Sequence, residues 1–185
     1  IAPNVGAIVP IYRKEEEKQP VLDFCRRLLA QLCGEERLKA AEGRQQARDQ
    51  MAVFTDQTAT QSVVLDMRDE RPVEKHFYWE QRGVPFRFEI GPRDVEKGSF
   101  VLKLRHSGEK RFVDLAEATP QWFCKLMGEA QQALLDRATA FRDEHTVEVQ
   151  TYDELRQALL DRKGFVRCWF LEDAEAEAKI KEELE

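Results

Sequence analysis

The first apolar run, Val5-Gly-Ala-Ile-Val-Pro-Ile11, is short and nearly uninterrupted, the pattern of a buried strand that ends near Pro10. From residue 15 the rhythm changes. Val21, Phe24, Cys25, Leu28, Leu29 and Leu32 recur at helical spacing behind Glu15, Glu16 and Glu17, whose charges suit a helix N-terminus. Residues 34–61 are polar and Gln-rich with few apolar anchors, and are expected to form an insertion, partly helical or mobile. Ser62–Asp66 is the next predicted strand, and Pro72 opens a helix that Gly83 closes. Val84, Phe86, Phe88 and Ile90 then alternate with Pro85, Arg87 and Glu89, as in a half-exposed strand. Gly91-Pro-Arg-Asp94 reads as a turn, and Phe100–Arg105 with Arg111–Leu115 as a hairpin around Ser107-Gly108. These elements make an α/β fold, an open mixed sheet of about five strands with flanking helices.

Thr119-Pro120 is a cap followed by a first-turn proline. The stripe Phe123, Leu126, Met127, Ala130, Leu134, Ala138 and Phe141 predicts one helix running to about His145. Thr151-Tyr-Asp-Glu154 is a capping box for another helix, stopped by Gly164. Phe165–Leu171 reads as a strand, and Asp173 caps a last helix with Glu175–Lys179 and Glu177–Lys181 pairs. The expected organisation is a domain over residues 1–115 carrying the 34–61 insertion, a connecting helix over 116–145, and a small α/β domain over 146–185. A last helix that continues to Glu185, and a start at Ile1 rather than Met, lead us to expect a truncated piece of a longer chain.

Taken as a total, 29 basic against 35 acidic residues and a net charge of −6 argue against a nucleic-acid partner. The distribution reverses this. Residues 68–111 carry +3, residues 143–185 carry −7, and the two remaining segments carry −1 each. Capture of a polyanion depends on the local patch. Cys25, Cys33, Cys124 and Cys168 contain no CxxC pair, so no metal site is expected and all four are read as reduced. No transmembrane segment or signal peptide is visible, and a cytoplasmic location is expected. The chain lacks GxxxxGK, GxGxxG, GxSxG and HExxH motifs, and His76, His106 and His145 are scattered. A binding module fits this better than a catalytic domain.

The densest chemistry lies in Asp66–Asp94, where Arg, Lys and carboxylates interleave with His76-Phe-Tyr-Trp79. Single-stranded nucleic acid needs this mixture, rings to stack on and charge along the backbone. A solvated helix face over core aromatics is the plainer alternative, and Trp79 suits the core better than a ligand. Within this stretch Glu80-Gln-Arg-Gly-Val-Pro-Phe-Arg87 and Glu89-Ile-Gly-Pro-Arg-Asp94, together with Tyr12-Arg-Lys-Glu-Glu-Glu-Lys-Gln-Pro20, resemble the anticodon-binding domain of prolyl-tRNA synthetases in their eukaryote- and archaeon-like form. Ala140-Phe-Arg-Asp-Glu-His145 and Lys163-Gly-Phe-Val-Arg167 are similar to the extra C-terminal domain of that form. The resemblance covers nearly the whole chain except residues 34–61.

The resemblance implies the class II synthetase anticodon-binding fold and a module that reads the two guanines shared by proline anticodons. The matched positions are Glu80, Arg87, Asp94 and Lys110, with His76 where the family usually has a stacking phenylalanine. A carboxylate accepts from guanine N1–H and the exocyclic amine, and a guanidinium donates to O6 and N7. The implied partners are the anticodon stem-loop of proline tRNA and the upstream catalytic domain of the same enzyme, with no membrane. That domain, absent here, would bring ATP and Mg and the ligase activity; this chain alone is expected to be inactive and without a cofactor. The parent enzyme is expected to be a homodimer and this piece a monomer. In the C-terminal domain the family's zinc cysteines align with Leu171 and Ala176, so no zinc is expected. The residues themselves leave open a free-standing RNA-binding or protein-interaction module of the same fold.

Overall fold

The computed structural model describes residues 4–33, 51–55, 62–161 and 164–184. The chain divides into two compact units, Ile1–Gln131 and Gln132–Glu185. The first is built on β1 (Asn4–Pro10), α1 (Glu15–Cys33), β2 (Met51–Thr55), β3 (Ser62–Asp66), α2 (Pro72–Gln81), β4 (Phe86–Ile90), α3 (Pro92–Lys97), β5 (Ser99–Leu104) and β6 (Lys110–Asp114), followed by the start of α4 (Pro120–Glu144). One sheet runs in the order β2-β3-β1-β4-β5-β6. Its centre β3-β1-β4 is parallel, and β2, β5 and β6 are antiparallel. The open mixed sheet is the expected one, with one strand more than the pattern predicted. That sixth strand is β2, inside the polar 34–61 stretch, where Met51-Ala-Val-Phe-Thr55 pairs with the edge of β3. The rest of that insertion lies outside the described residues.

Strand alternation sorts the side chains onto two unequal faces. Val63, Leu65, Phe86, Phe88, Ile90, Phe100, Leu102, Leu104 and Val113 point into the main core, packed with Phe24, Leu28, Phe123 and Leu126. On the other face the apolar set is small: Ala7, Val9, Val64, Trp79 and Val84. β1 is buried on both sides, which is why its sequence is a continuous apolar run. Gly6 is required there, since a Cβ would lie 2.9 Å from the Phe88 ring. Val84 packs on the α2 side with Trp79, not beside Phe86 as the alternation suggested, because the strand begins only at Phe86.

A buried ionic cluster fastens α2 to the end of β3. Asp66, fully buried, accepts from Arg68 Nε at 2.9 Å, Arg68 Nη2 at 2.6 Å and Trp79 Nε1 at 2.7 Å. Lys75, also buried, donates to the Asp66 carbonyl at 3.3 Å. The Arg68 and Arg82 guanidinium groups lie 3.6 and 3.4 Å from the Tyr78 ring centroid. Burial alone would raise the Asp66 pKa, but the Arg68 and Trp79 hydrogen bonds outweigh it and hold it below its ordinary 3.8.

Cys25 faces the core from α1, and burial pushes its thiol up to about 12. Cys124 and Cys168 are exposed. Under native alkylation followed by mass mapping, Cys124 and Cys168 are expected to react while Cys25 stays free, since only the thiolate attacks. Labelling of Cys25 at the rate of the other two would contradict the packing of α1.

The second unit holds the end of α4, β7 (Thr146–Glu148), α5 (Tyr152–Asp161), β8 (Phe165–Arg167) and α6 (Ala174–Leu184), with β7 and β8 parallel. The capping box is made as expected: Glu154 N–H donates to Thr151 Oγ1, and the Glu154 carboxylate accepts from Gln150 and Thr151 N–H. The strand expected to reach Leu171 stops at Arg167, leaving Trp169, Phe170 and Leu171 exposed. Among the described residues, no cluster of three or more His, Cys, Asp or Glu fits a metal ion, and no helix is long and apolar enough to cross a membrane.

Candidate nucleic-acid interface

α2 packs over β1 and β3 on this face of the sheet, and its His76 reaches Glu89 on β4. On β4, β5 and β6 the same face carries Arg87 and Glu89, Val101 and Lys103, and Lys110 and Phe112, by strict alternation from the buried set. Register places Arg87, Lys103 and Lys110 side by side across three strands. Three cations on neighbouring strands repel one another. The next rung, Glu89-Val101-Phe112, supplies the opposing charge.

Glu89 organises this surface. Although it was expected on a half-exposed strand, it is buried, because the α2 flank with His76 closes over it. Its Oε1 accepts from Arg87 Nε at 2.9 Å and lies 3.7 Å from His76 Nε2, and its Oε2 accepts from Lys110 Nζ at 3.4 Å. Burial favours the neutral acid, yet the Arg87 hydrogen bond and the nearby cations overcome it and keep the Glu89 carboxyl below its usual range. Burial, reinforced by Arg87, lowers the His76 pKa, so the ring is neutral at neutral pH. Its Nε2 is buried without a hydrogen-bond partner among the described residues.

Val73, His76, Phe77 and Glu80 recur at the spacing of one helix side. His76 looks onto Glu89, and Glu80, a turn later, borders a cleft of about 150 Å³ lined also by Trp79, Arg87, Lys103, Arg105 and Gly108. The turn that aims Glu80 there depends on Gly83, whose φ of 73° is left-handed and whose N–H donates to the Glu80 carbonyl at 3.0 Å. Lys103 Nζ donates to the Gly108 carbonyl and holds the hairpin turn against the cleft. Among the described residues Glu80 forms no ion pair, although Arg87, Lys103 and Arg105 share its cleft. Among the described residues Arg87 gives one hydrogen bond, from Nε, and none from its Nη1 and Nη2 edge.

Of the residues singled out from the sequence, the structure brings Glu80 to Arg87, and His76 and Lys110 to Glu89. Asp94 is not in that cleft. The expected turn at Gly91–Asp94 is the start of α3, beyond the far end of β4, where Asp94 Oδ2 accepts from Gly91 N–H at 2.8 Å. Arg87 and Ile90 are three residues apart on β4, roughly 10 Å of strand. Glu89 and Lys103 were missed. Glu89 was legible as a neighbour of Arg87 on one strand face; Lys103 needed the hairpin register.

Residues 7–121 match the family described as Anticodon binding domain. Over 99% of its length the chain is 36% identical to the proline–tRNA ligase of Roseiflexus sp. (strain RS-1), of which it spans 33%. Over 56% of its length it is 45% identical to the proline–tRNA ligase of Rubrobacter xylanophilus. A crystal structure of Cryptosporidium parvum prolyl-tRNA synthetase, complexed with L-proline and AMP, superposes with a TM-score of 0.71 at 29% identity, over 98% of this chain and 33% of that one. The chain thus spans about a third of the length of the relatives it matches throughout. Fold, motif positions and similarity agree: the chain belongs to the anticodon binding domain family.

Proposed function

We propose that this chain is the tRNA-reading part of a proline–tRNA ligase, and that it selects proline tRNA through two anticodon guanines. The observation that carries the proposal is the pairing, in one cleft, of an unpaired Glu80 carboxylate with the open edge of Arg87. A guanine between them presents N1–H and its amine to Glu80, and O6 and N7 to Arg87. Adenine offers the carboxylate an N1 acceptor and no 2-amine, and sets its 6-amine donor against the guanidinium in place of O6, so only N7 still accepts. Asp94 retains Oδ1 for the second guanine, while Lys110 and His76 line the path between the two positions. ATP, Mg and the ligation chemistry belong to the rest of the parent enzyme, in the cytoplasm, with this chain contributing selection.

The test is binding of proline-tRNA anticodon stem-loops in which either guanine is replaced by adenine. Wild-type chain is expected to lose about 1–3 kcal/mol for each replacement. Glu80→Ala and Arg87→Ala each relax discrimination at one base. Binding is expected to weaken steeply with salt, because affinity rests on phosphate contacts. Equal affinity for every anticodon overturns the proposal.

A further inference from the structure

We infer that Phe112 is a base-stacking platform for a nucleotide next to the guanine held by Glu80 and Arg87. The inference rests on the reading given above and names a subsite of the same surface. Phe112 lies in the interior of β6, where a phenylalanine is expected to cover something, yet it is 79% exposed. It stands on the sheet half that α2 leaves open, because Val113 takes the core side of the strand. Its rung neighbour is Val101, and beyond Val101 lies Glu89. The adjacent rung is Lys110, Lys103 and Arg87.

The occupant follows from this layout. An uncovered ring beside a row of cations matches a nucleotide, whose base has an apolar face and whose phosphate is anionic. An apolar protein segment would cover Phe112 but would leave the cation row against its backbone. Neighbouring strands stand about 4.8 Å apart and residues about 3.4 Å apart along a strand, so Phe112, two strands across and two residues along from Arg87, stands roughly 12 Å from it. That is the reach of one unstacked nucleotide step from the Glu80–Arg87 cleft. Lys103, on the intervening strand, and Lys110, on the Phe112 strand in the rung of Arg87, flank that diagonal, where the linking phosphate passes. Stacking is tolerant of base identity, so this subsite adds affinity without adding to the guanine code.

The experiment uses the whole 185-residue chain and a proline-tRNA anticodon stem-loop, with Phe112→Ala, Phe112→Leu and Phe112→Trp. The alanine and leucine variants are expected to bind roughly 5- to 150-fold more weakly, the range for loss of one base–aromatic stack. Tryptophan restores binding. All three keep the wild-type preference for guanine over adenine, whereas Arg87→Ala does not. Because the ring is exposed, thermal unfolding stays unchanged and serves as the folding control. Unaltered affinity in Phe112→Ala, full binding by Phe112→Leu, or self-association of the wild type that Phe112→Ala abolishes would each overturn the inference. If the wild type discriminates guanine while Phe112→Ala binds equally well, only the stacking subsite falls. If the wild type binds no stem-loop, the parent reading and this one fall together.

Discussion

Asp66→Ala is expected to destabilise the first unit by about 3–5 kcal/mol, the cost of breaking a buried ion pair from one side. The substitution strands more than one partner. Arg68 loses a two-pronged acceptor, and the Trp79 indole N–H, buried beneath α2, loses its acceptor at 2.7 Å. Asp66→Asn keeps an oxygen for one of them and should cost less. Urea unfolding at neutral pH measures both; a loss under about 1 kcal/mol would mean that α2 is held by packing alone.

The same carboxylate sets an acid dependence. Its folded pKa lies below 3.8, so over the interval between the two values the unfolded chain binds the extra proton. The stabilisation is therefore complete above the unfolded value and drains away as pH falls through the folded one. The stability gap between wild type and Asp66→Asn should be constant at neutral pH and narrow on acidification below about pH 4. A gap that stays constant to the acid limit would contradict the assignment.

Glu89→Gln is expected to move two readouts in opposite directions. Removing the charge leaves Arg87 and Lys110 without their shared counter-ion, so affinity for arbitrary single-stranded RNA should rise. Discrimination of guanine should fall by about 1–3 kcal/mol, because Arg87 loses the charge-assisted hydrogen bond that fixes its Nε and thereby aims its open edge. A merely structural residue would lower both together. Anisotropy titrations with proline and guanine-free stem-loops separate the cases, and retained discrimination would remove Glu89 from the reading apparatus.

The helix from Pro72 and the alternation of β4 were legible because proline, glycine and period-two patterning each act locally. β2 was not, since five strand-forming residues inside a long polar stretch carry little signal until β3 offers them an edge. α3 was read as a turn because Gly91-Pro-Arg-Asp94 suits both outcomes, and six residues are too few to show a helical period. Alternation placed Glu89 beside Arg87 but is silent on whether a helix covers that side. The cleft itself was half legible. Glu80 and Arg87 came from the motif, whereas Lys103 and Arg105 enter it through the β4–β5 register.

The strand order also determines when this surface can exist. Gly6 on β1 pairs with Phe86, across roughly eighty residues of chain. β4 instead pairs with β5, and β5 with β6, each with its immediate successor. Closing the long loop costs more entropy than closing either hairpin. The rung of Arg87, Lys103 and Lys110 can therefore assemble as a meander before β1 slots in beside β4. During synthesis the ribosome releases β1 before β4, so β1 must wait for that neighbour. In that interval the nascent chain holds an apolar strand with no partner on the β4 side, while its most cationic ladder can already be formed.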